Sequence, residues 1–266
     1  MPDRAPRIDS HVHVFPDRLA LAVRNKMQRD DLLSGGVLAA DVAQRVLDAG
    51  FDRAWALPYA HREGVAESAN EWSASECSQF PSLVPGATFH PNDAHFDRLV
   101  HRALFELRLR VVKLHCSVGQ FPATDPRLEP LWLAAAELRV PVVVHAGQRE
   151  PGMTQPDEIE AISSVLAAHP HLRLVLAHCG HPNIVATLSL MERFGNLYAD
   201  LTPVWTEPIE VDARTFGRFP GRFLFGSDAP NTPTTPASLV ANIEALDLTQ
   251  SERDSILGGA AASLMA

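Results

Sequence analysis

The chain has 266 residues, enough for one large α/β domain or two small ones, and its 46% hydrophobic content is ordinary for a protein with a sizeable buried core. Its formal net charge of −9 and the lack of any block of basic residues argue against nucleic acid as the main partner. No apolar run approaches the roughly 18 residues that span a bilayer, and the start Met-Pro-Asp-Arg does not resemble a signal peptide, so we expect a cytoplasmic protein that binds no membrane.

In the first half of the chain, short apolar runs alternate with segments of helical character. Asp41 is a plausible N-cap of one helix, and Gly50 is a plausible stop for the same helix. The predicted strands cover residues 7–15, 51–59, 83–90 and 110–115, and the predicted helices cover residues 17–28, 41–49, 63–79 and 95–107.

The second half repeats this rhythm more clearly. The run from Val140 to Val144 is almost entirely apolar, as expected of a strand that is buried on both faces. The predicted strands cover residues 140–145, 172–178, 196–200 and 222–226. The predicted helices cover residues 130–139, 157–169, 183–194, 211–219, 237–246 and 251–265.

Eight strands that alternate with helices predict an α/β fold of the parallel (β/α)₈ barrel type, the TIM barrel. No linker, low-complexity stretch or composition shift divides the chain, so residues 1–266 are expected to form a single barrel domain. Active sites of such barrels lie at the carboxyl ends of the strands.

Histidines and an aspartate stand at those strand ends. His11 and His13 are two residues apart on a predicted strand, so both imidazoles point to one face. An isolated His-x-His could be a pair of surface residues, but His145 and His178 end two further predicted strands and Asp228 closely follows a third. The sequence therefore predicts that these side chains converge on a metal site.

Three imidazoles (His11, His13 and His145) and the Asp228 carboxylate would suit one divalent ion, most readily Zn²⁺, with Mn²⁺ or Fe²⁺ as alternatives. A site of this kind with an open position lowers the pKa of bound water to about 7. Asp228, taken as the only carboxylate among the converging strand ends, could be both a ligand and the base that accepts a proton. His178 could move a proton or polarise a carbonyl, although by itself it could also be a hydrogen-bonded core histidine.

The three cysteines are odd in number and lack paired metal-ligand spacing, so no disulfide framework is expected. Cys116 and Cys179 each follow a candidate site histidine and are predicted to be buried free thiols.

Five short motifs in this order make nearly the whole chain resemble the amidohydrolase superfamily of metal-dependent hydrolases, most closely its amidohydrolase-related branch. The motifs are DSHVH at 9–13, VKLH at 112–115, VHAG at 144–147, AHCG at 177–180 and FGSDAP at 225–230. The resemblance implies that His11, His13, His145 and Asp228 bind a catalytic metal and that His178 is a catalytic residue beside it.

The chain departs from two relatives of this superfamily. Nucleases of the TatD type carry a glutamate that bridges two metals, and nothing like its motif occurs between Leu83 and His115. Some other members carry a carbamylated lysine that bridges two metals at the end of strand four. Lys113 could take that place, but a structural or substrate-side ammonium in a one-metal site is the favoured role.

The resemblance leaves the reaction open between two classes. Hydrolysis of a lactone, amide or ester is the main expectation, because decarboxylases of this branch tend to carry an inserted segment and this chain is compact. Decarboxylation of an aromatic or unsaturated carboxylic acid is the alternative, and a barrel that binds metal without catalysis is a third hypothesis.

The substrate is expected to be a small molecule, and its identity depends on the loops. His115 and Arg149 are further candidates for contact with the substrate or a second metal, although a solvated loop arginine is the favoured role of Arg149. Phe15, Tyr59 and Trp205 could line an apolar wall or simply pack. A homo-oligomer would be ordinary for such a protein.

Overall fold

The computed structural model describes residues 5–27, 36–146, 156–202 and 211–266. Eight parallel strands form one sheet in which each strand pairs with its neighbours in the chain. They are β1 (Ile8–Val12), β2 (Arg53–Ala56), β3 (Leu83–Thr88), β4 (Val111–His115), β5 (Val142–His145), β6 (Leu174–Leu176), β7 (Leu197–Asp200) and β8 (Phe223–Leu224).

The sheet curls so that the segment after β8 returns to β1. The backbone N–H of Ser10 donates to the carbonyl of Phe225 at 2.8 Å, and that of Asp228 donates to the carbonyl of His11 at 2.8 Å. Val12 and Ala229 form an isolated parallel bridge. These contacts nearly close the barrel, and the predicted (β/α)₈ fold is confirmed.

The helices alternate with the strands, as the sequence predicts. The α-helices are Asp17–Met27, Ala39–Asp48, Ala66–Ser75, Phe96–His101, Cys116–Gly119, Glu129–Leu138, Pro156–Ala168, Ile184–Arg193, Ala213–Arg218, Pro236–Glu244, Gln250–Asp254 and Ala260–Leu264. Shorter 3₁₀ turns cover Cys77–Gln79, Pro126–Leu128 and Ala177–Gly180, and π-helical turns cover Arg102–Glu106 and Ser255–Gly259. No helix within the described ranges is long and apolar enough to cross a membrane.

The alternation of side chains along β4 and β5 separates two environments. Val112, Leu114, Val142 and Val144 belong to the large apolar cluster between the sheet and the helices. Val111 and Val143 instead join a smaller apolar cluster in the barrel interior, which includes Trp55 and Leu264. Residues two apart on a strand share a face, so Lys113, His115 and His145 follow these valines up the interior toward the carboxyl ends of the strands.

Several predicted boundaries need correction. The helix predicted at 41–49 begins at Ala39 with Leu38 as its N-cap, and Asp41 is not the cap. The Asp41 carboxylate still serves the helix start, because it accepts the backbone N–H of Leu38 at 3.1 Å from within the first turn. Gly50, with φ of 80°, follows the last turn as predicted.

Other predicted elements are interrupted. The helix predicted at 95–107 changes to a π-helical turn at Arg102, and the one predicted at 251–265 does so at Ser255. The strand predicted at 172–178 ends at Leu176, and the short helix Cys116–Gly119 is not apparent in the sequence pattern. None of the three cysteines forms a disulfide, and Cys116 and Cys179 are buried, as expected; Cys77 is buried as well.

The kink near the C-terminus lets the last helix pack under β1. A Cβ atom added at Gly258 would lie 2.0 Å from the carbonyl oxygen of Pro6 and 2.6 Å from the backbone nitrogen of Ile8. Both contacts are with backbone atoms, which cannot turn aside as a flexible side chain would. Only glycine therefore fits at this position.

We predict that Gly258→Ala lowers the free energy of unfolding by about 1–3 kcal/mol or more, because the added methyl group overpacks the contact between the start of β1 and the π-helical turn Ser255–Gly259. Gly195→Ala is the matched control, since an added Cβ there meets nothing within 4 Å. Urea unfolding of both variants measures the difference. Equal stability of the two variants would contradict the steric account.

Candidate metal centre

The predicted strand-end residues do meet inside one end of the barrel. His11 lies on β1, Lys113 and His115 lie on β4, and His145 ends β5. His178 and Asp228 lie just beyond β6 and β8 in left-handed conformations, with φ of 55° and 58°. Such conformations cost a non-glycine residue of the order of 1–3 kcal/mol and are concentrated at functional sites. Here they turn the two side chains into the same space.

Three of the four predicted ligands form a compact donor set. The Nε2 atoms of His11 and His13 are 3.2 Å apart, and Oδ1 of Asp228 is 3.0 Å from His13 Nε2 and 3.8 Å from His11 Nε2. All of their candidate ligand atoms lie within 4.8 Å of one another. Electron-rich atoms this close need a proton or a cation between them.

The opposite nitrogens of the two imidazoles are already engaged. His11 Nδ1 donates to Oδ2 of Asp200 at 2.9 Å, and His13 Nδ1 donates to the carbonyl of Leu57 at 2.8 Å. A proton held on Nδ1 leaves the lone pair of Nε2 for a metal, which is the usual arrangement of metal-binding histidines. The donor set therefore fits a divalent ion.

His145 lies beside this set but outside it. Its ring stacks on His115 with centroids 4.1 Å apart and meets the edge of His178 at 4.7 Å. The buried Nδ1 atom of His145 has no hydrogen-bond partner. Its assignment as the fourth ligand stays a prediction, and its unpartnered nitrogen is consistent with it.

Asp200, at the end of β7, is the residue that sequence reasoning missed. It is fully buried, and Oδ1 accepts the backbone N–H of His178 at 2.8 Å and the N–H of Thr202 at 3.2 Å. The prediction that Asp228 is the only carboxylate at these strand ends is therefore wrong. The signal was present, because Asp200 was predicted as the last residue of strand seven.

Burial and local contacts set the charges of these groups. Burial lowers the pKa of His11 to about 3, and it also lowers the pKa of His178. Burial would raise the pKa of the Asp228 carboxyl, but the hydrogen bond with His13 and the neighbouring histidines bring it down to about 2. At neutral pH the site thus presents neutral His11 and His178 beside an ionised carboxylate, as a divalent cation requires.

Lys113 is buried completely in the same space. Its Nζ atom is 3.0 Å from Nε2 of His11, and no other hydrogen bond of this ammonium is found within the described ranges. Burial lowers the pKa of Lys113 to about 8, although Asp200 and Asp228 act to raise it. The side chain therefore remains largely protonated at neutral pH.

Aromatic rings flank His13 at the mouth of the site. Tyr59 meets the edges of His13, His115 and Phe15, with ring centroids 5.1, 4.8 and 4.8 Å apart. Phe15 and Tyr59 therefore pack against the site, and a role of the two rings as an apolar wall for the substrate stays a prediction. The further candidates Arg149 and Trp205 lie outside the described residues.

Comparison with known proteins points to one family. A family model described as Amidohydrolase matches residues 8–265. No curated protein matches the chain significantly.

Several solved structures share the fold. An uncharacterised TIM-barrel protein from Bordetella bronchiseptica is 19% identical, with a TM-score of 0.72 over 97% of this chain and 98% of its own. The 5-carboxyvanillate decarboxylase from Sphingomonas paucimobilis is 17% identical, with a TM-score of 0.71 over 98% and 99%. That from Novosphingobium aromaticivorans, complexed with manganese and 4-hydroxy-3-methoxy-5-nitrobenzoic acid, is 15% identical, with a TM-score of 0.71 over 98% and 96%.

We predict that Asp200→Asn lowers the zinc affinity of the purified protein by about 10- to 100-fold, because the amide cannot replace both oxygens that hold His11 and the His178 backbone. Asp97→Asn removes the same charge from an exposed carboxylate and should leave the affinity unchanged. Competition with a chromogenic chelator measures both variants. Zinc binding of wild-type strength in Asp200→Asn would show that His11 needs no such support.

Proposed function

This chain belongs to the amidohydrolase family, and we propose that it is a metal-dependent decarboxylase, a carbon–carbon lyase acting on an aromatic or unsaturated carboxylic acid. The observation that carries this proposal is the fully buried ammonium of Lys113, 3.0 Å from Nε2 of His11. We further propose that the substrate is a small molecule, since the candidate residues lie within the mouth of a barrel.

A buried ammonium is costly unless an anion accompanies it. A carboxylate substrate would pair with Lys113 through a charge-assisted hydrogen bond. A lactone, amide or ester is neutral at its reacting group and would leave that charge without a partner from the substrate. The charge of Lys113 thus favours an acid as the substrate.

Similar structures add independent support for this reaction class. Two of them are named as 5-carboxyvanillate decarboxylases, and that substrate is an aromatic acid. The sequence-based expectation placed hydrolysis first because the chain is compact. With the structure in hand, the alternative is the better supported of the two.

His11, His13 and Asp228 would hold one divalent ion, with His145 as the proposed fourth ligand. When bound, the ion supplies a positive charge that orients an anionic substrate and stabilises negative charge as it develops. The donor set suits Zn²⁺, and Mn²⁺ is the alternative that the complexed relative suggests.

Decarboxylation exchanges carbon dioxide for a proton on the same carbon. The bond to the carboxylate breaks, its electron pair stays with the substrate carbon, and that carbon takes up one proton. We assign this proton transfer to His178, with Asp228 as the second group within reach. His178 Nδ1 faces the carbonyl of Thr202 at 3.4 Å, so Nε2 of this neutral ring would first take up a proton from water and then pass it to the substrate carbon.

Hydrolysis remains a second candidate because of Asp228. Its side chain is 18% exposed, whereas those of His11 and His13 are 0% and 2% exposed. A carboxylate that is both accessible and next to a metal could serve as the base that activates water. The two reactions therefore differ in substrate charge more than in the groups they need.

A paired screen separates the two reactions. Zinc- or manganese-loaded protein is offered aromatic and unsaturated carboxylic acids while carbon dioxide release is measured, and lactones, amides and esters while acid release is measured. We expect release of carbon dioxide from at least one acid, lost after chelation and restored by metal. Acid release from a neutral substrate, with no acid decarboxylated, would replace the proposal by the hydrolase.

We predict that His178→Asn lowers turnover by about 10²-fold or more, the usual scale for loss of a proton-transfer group. The metal content should stay near one ion per chain, because His178 lies outside the compact donor set. Turnover on the acid found in the screen and elemental analysis of the same sample give the two readouts. Loss of the metal in His178→Asn would instead make His178 a ligand.

A further inference from the structure

Lys113 and the proposed metal ion need the same atom. Nε2 of His11 has a single lone pair, because Nδ1 of this ring donates its proton to Asp200 at 2.9 Å. In the structure, that lone pair faces Nζ of Lys113 at 3.0 Å. An ion bound to Nε2 would break this hydrogen bond, since one lone pair cannot serve both.

We propose that Lys113 competes with the metal ion for Nε2 of His11 and thereby weakens and controls metal binding at this site. The proposed function enters only through the presence of a metal at His11 and His13. The inference is independent of whether the reaction is decarboxylation or hydrolysis.

The positive charge of Lys113 would weaken metal binding as well, in addition to its hydrogen bond to the shared lone pair. Lys113 is completely buried on β4, so its ammonium cannot swing into solvent without disturbing the strand. An ammonium that stays beside a divalent ion in a protein interior would repel it by enough to change affinity at least about tenfold, even at an effective dielectric constant of about 20. The carboxylates of Asp200 and Asp228 offset part of this repulsion but do not restore the lone pair.

The competition gives Lys113 two successive partners. Without the ion, the ammonium is held by His11. With the ion in place, Nζ loses that acceptor and becomes available to an anionic group that enters the site, such as the carboxylate of the proposed substrate. With a neutral side chain of the same length at position 113, the site would bind the metal more tightly. That side chain could not pair with an anionic group in the site.

The test compares zinc affinity in metal-free wild-type protein, Lys113→Met and Arg53→Met, measured against a chromogenic chelator at one pH and salt concentration. Methionine keeps the length of lysine without its charge or hydrogen bond. Arg53 is exposed at the first residue of β2, at the opposite end of the barrel, so this control removes the same charge far from the site. We expect Lys113→Met to bind zinc at least about tenfold more tightly and Arg53→Met to match the wild type.

Each other result has a definite meaning. Unchanged zinc affinity in Lys113→Met overturns the competition, and weaker binding or a lower zinc stoichiometry makes Lys113 a ligand instead. If neither the wild type nor Lys113→Met binds zinc, the proposed metal site fails together with the competition. Binding in the variant alone supports competition in its strongest form.

A folding control keeps the result interpretable. Lys113→Leu serves as a second variant without charge or hydrogen-bond donor, and thermal unfolding followed by circular dichroism verifies that each protein is folded. The proposal predicts tighter zinc binding in whichever neutral variant folds. A folded leucine variant with wild-type affinity contradicts it even if the methionine variant aggregates.

Discussion

The carboxylate of Asp200 is the interaction on which the rest of the site depends. Its two oxygens connect β7 to the His11 ring on β1 and to the backbone at His178 after β6. Thr202 adds its N–H and hydroxyl groups as donors to the same carboxylate. A fully buried carboxylate is tolerated only when such donors surround it. By accepting the proton of His11 Nδ1, this carboxylate leaves the lone pair of His11 Nε2 free. His11 can then act as a metal ligand together with His13 and Asp228.

The barrel interior is divided along its axis into an apolar and a polar half. Valines of β4, β5 and β6 and the last helix fill the end from which the strands start. Two residues further along β4 and β5, the same interior face carries Lys113 and His145. The apolar half and the large cluster under the helices provide the burial that stabilises the fold. Because these apolar contacts stabilise the fold, the polar half can contain strained residues and incompletely hydrogen-bonded groups. Such groups lower stability but are typical of functional sites.

The sequence predicted the strands well because most of them are short apolar runs bounded by turn residues, and the convergence of His11, His13 and Asp228 followed from the barrel topology. It predicted less well what depends on contacts between distant segments. The strand predicted to reach His178 stops at Leu176, because the following residues turn left-handed to meet Asp200. The role of Asp200 itself was overlooked because a lone aspartate after an apolar run resembles any strand end. Periodicity also could not foresee the π-helical turn at Ser255, which accompanies the close approach of Gly258 to Pro6.

Lys113 connects the two proposals made for this protein. A lysine buried among the histidines disfavours a site that only binds metal, because the site would bind an ion more tightly with a neutral residue at that position. It is also poorly suited to a neutral substrate, which offers the ammonium no anionic hydrogen-bond partner in addition to the nearby Asp200 and Asp228 carboxylates. Both costs are offset only if the metal and an anionic substrate occupy the site together, since the ion frees the ammonium and the substrate then pairs with it. On this argument the same residue that weakens metal binding also selects a carboxylic acid.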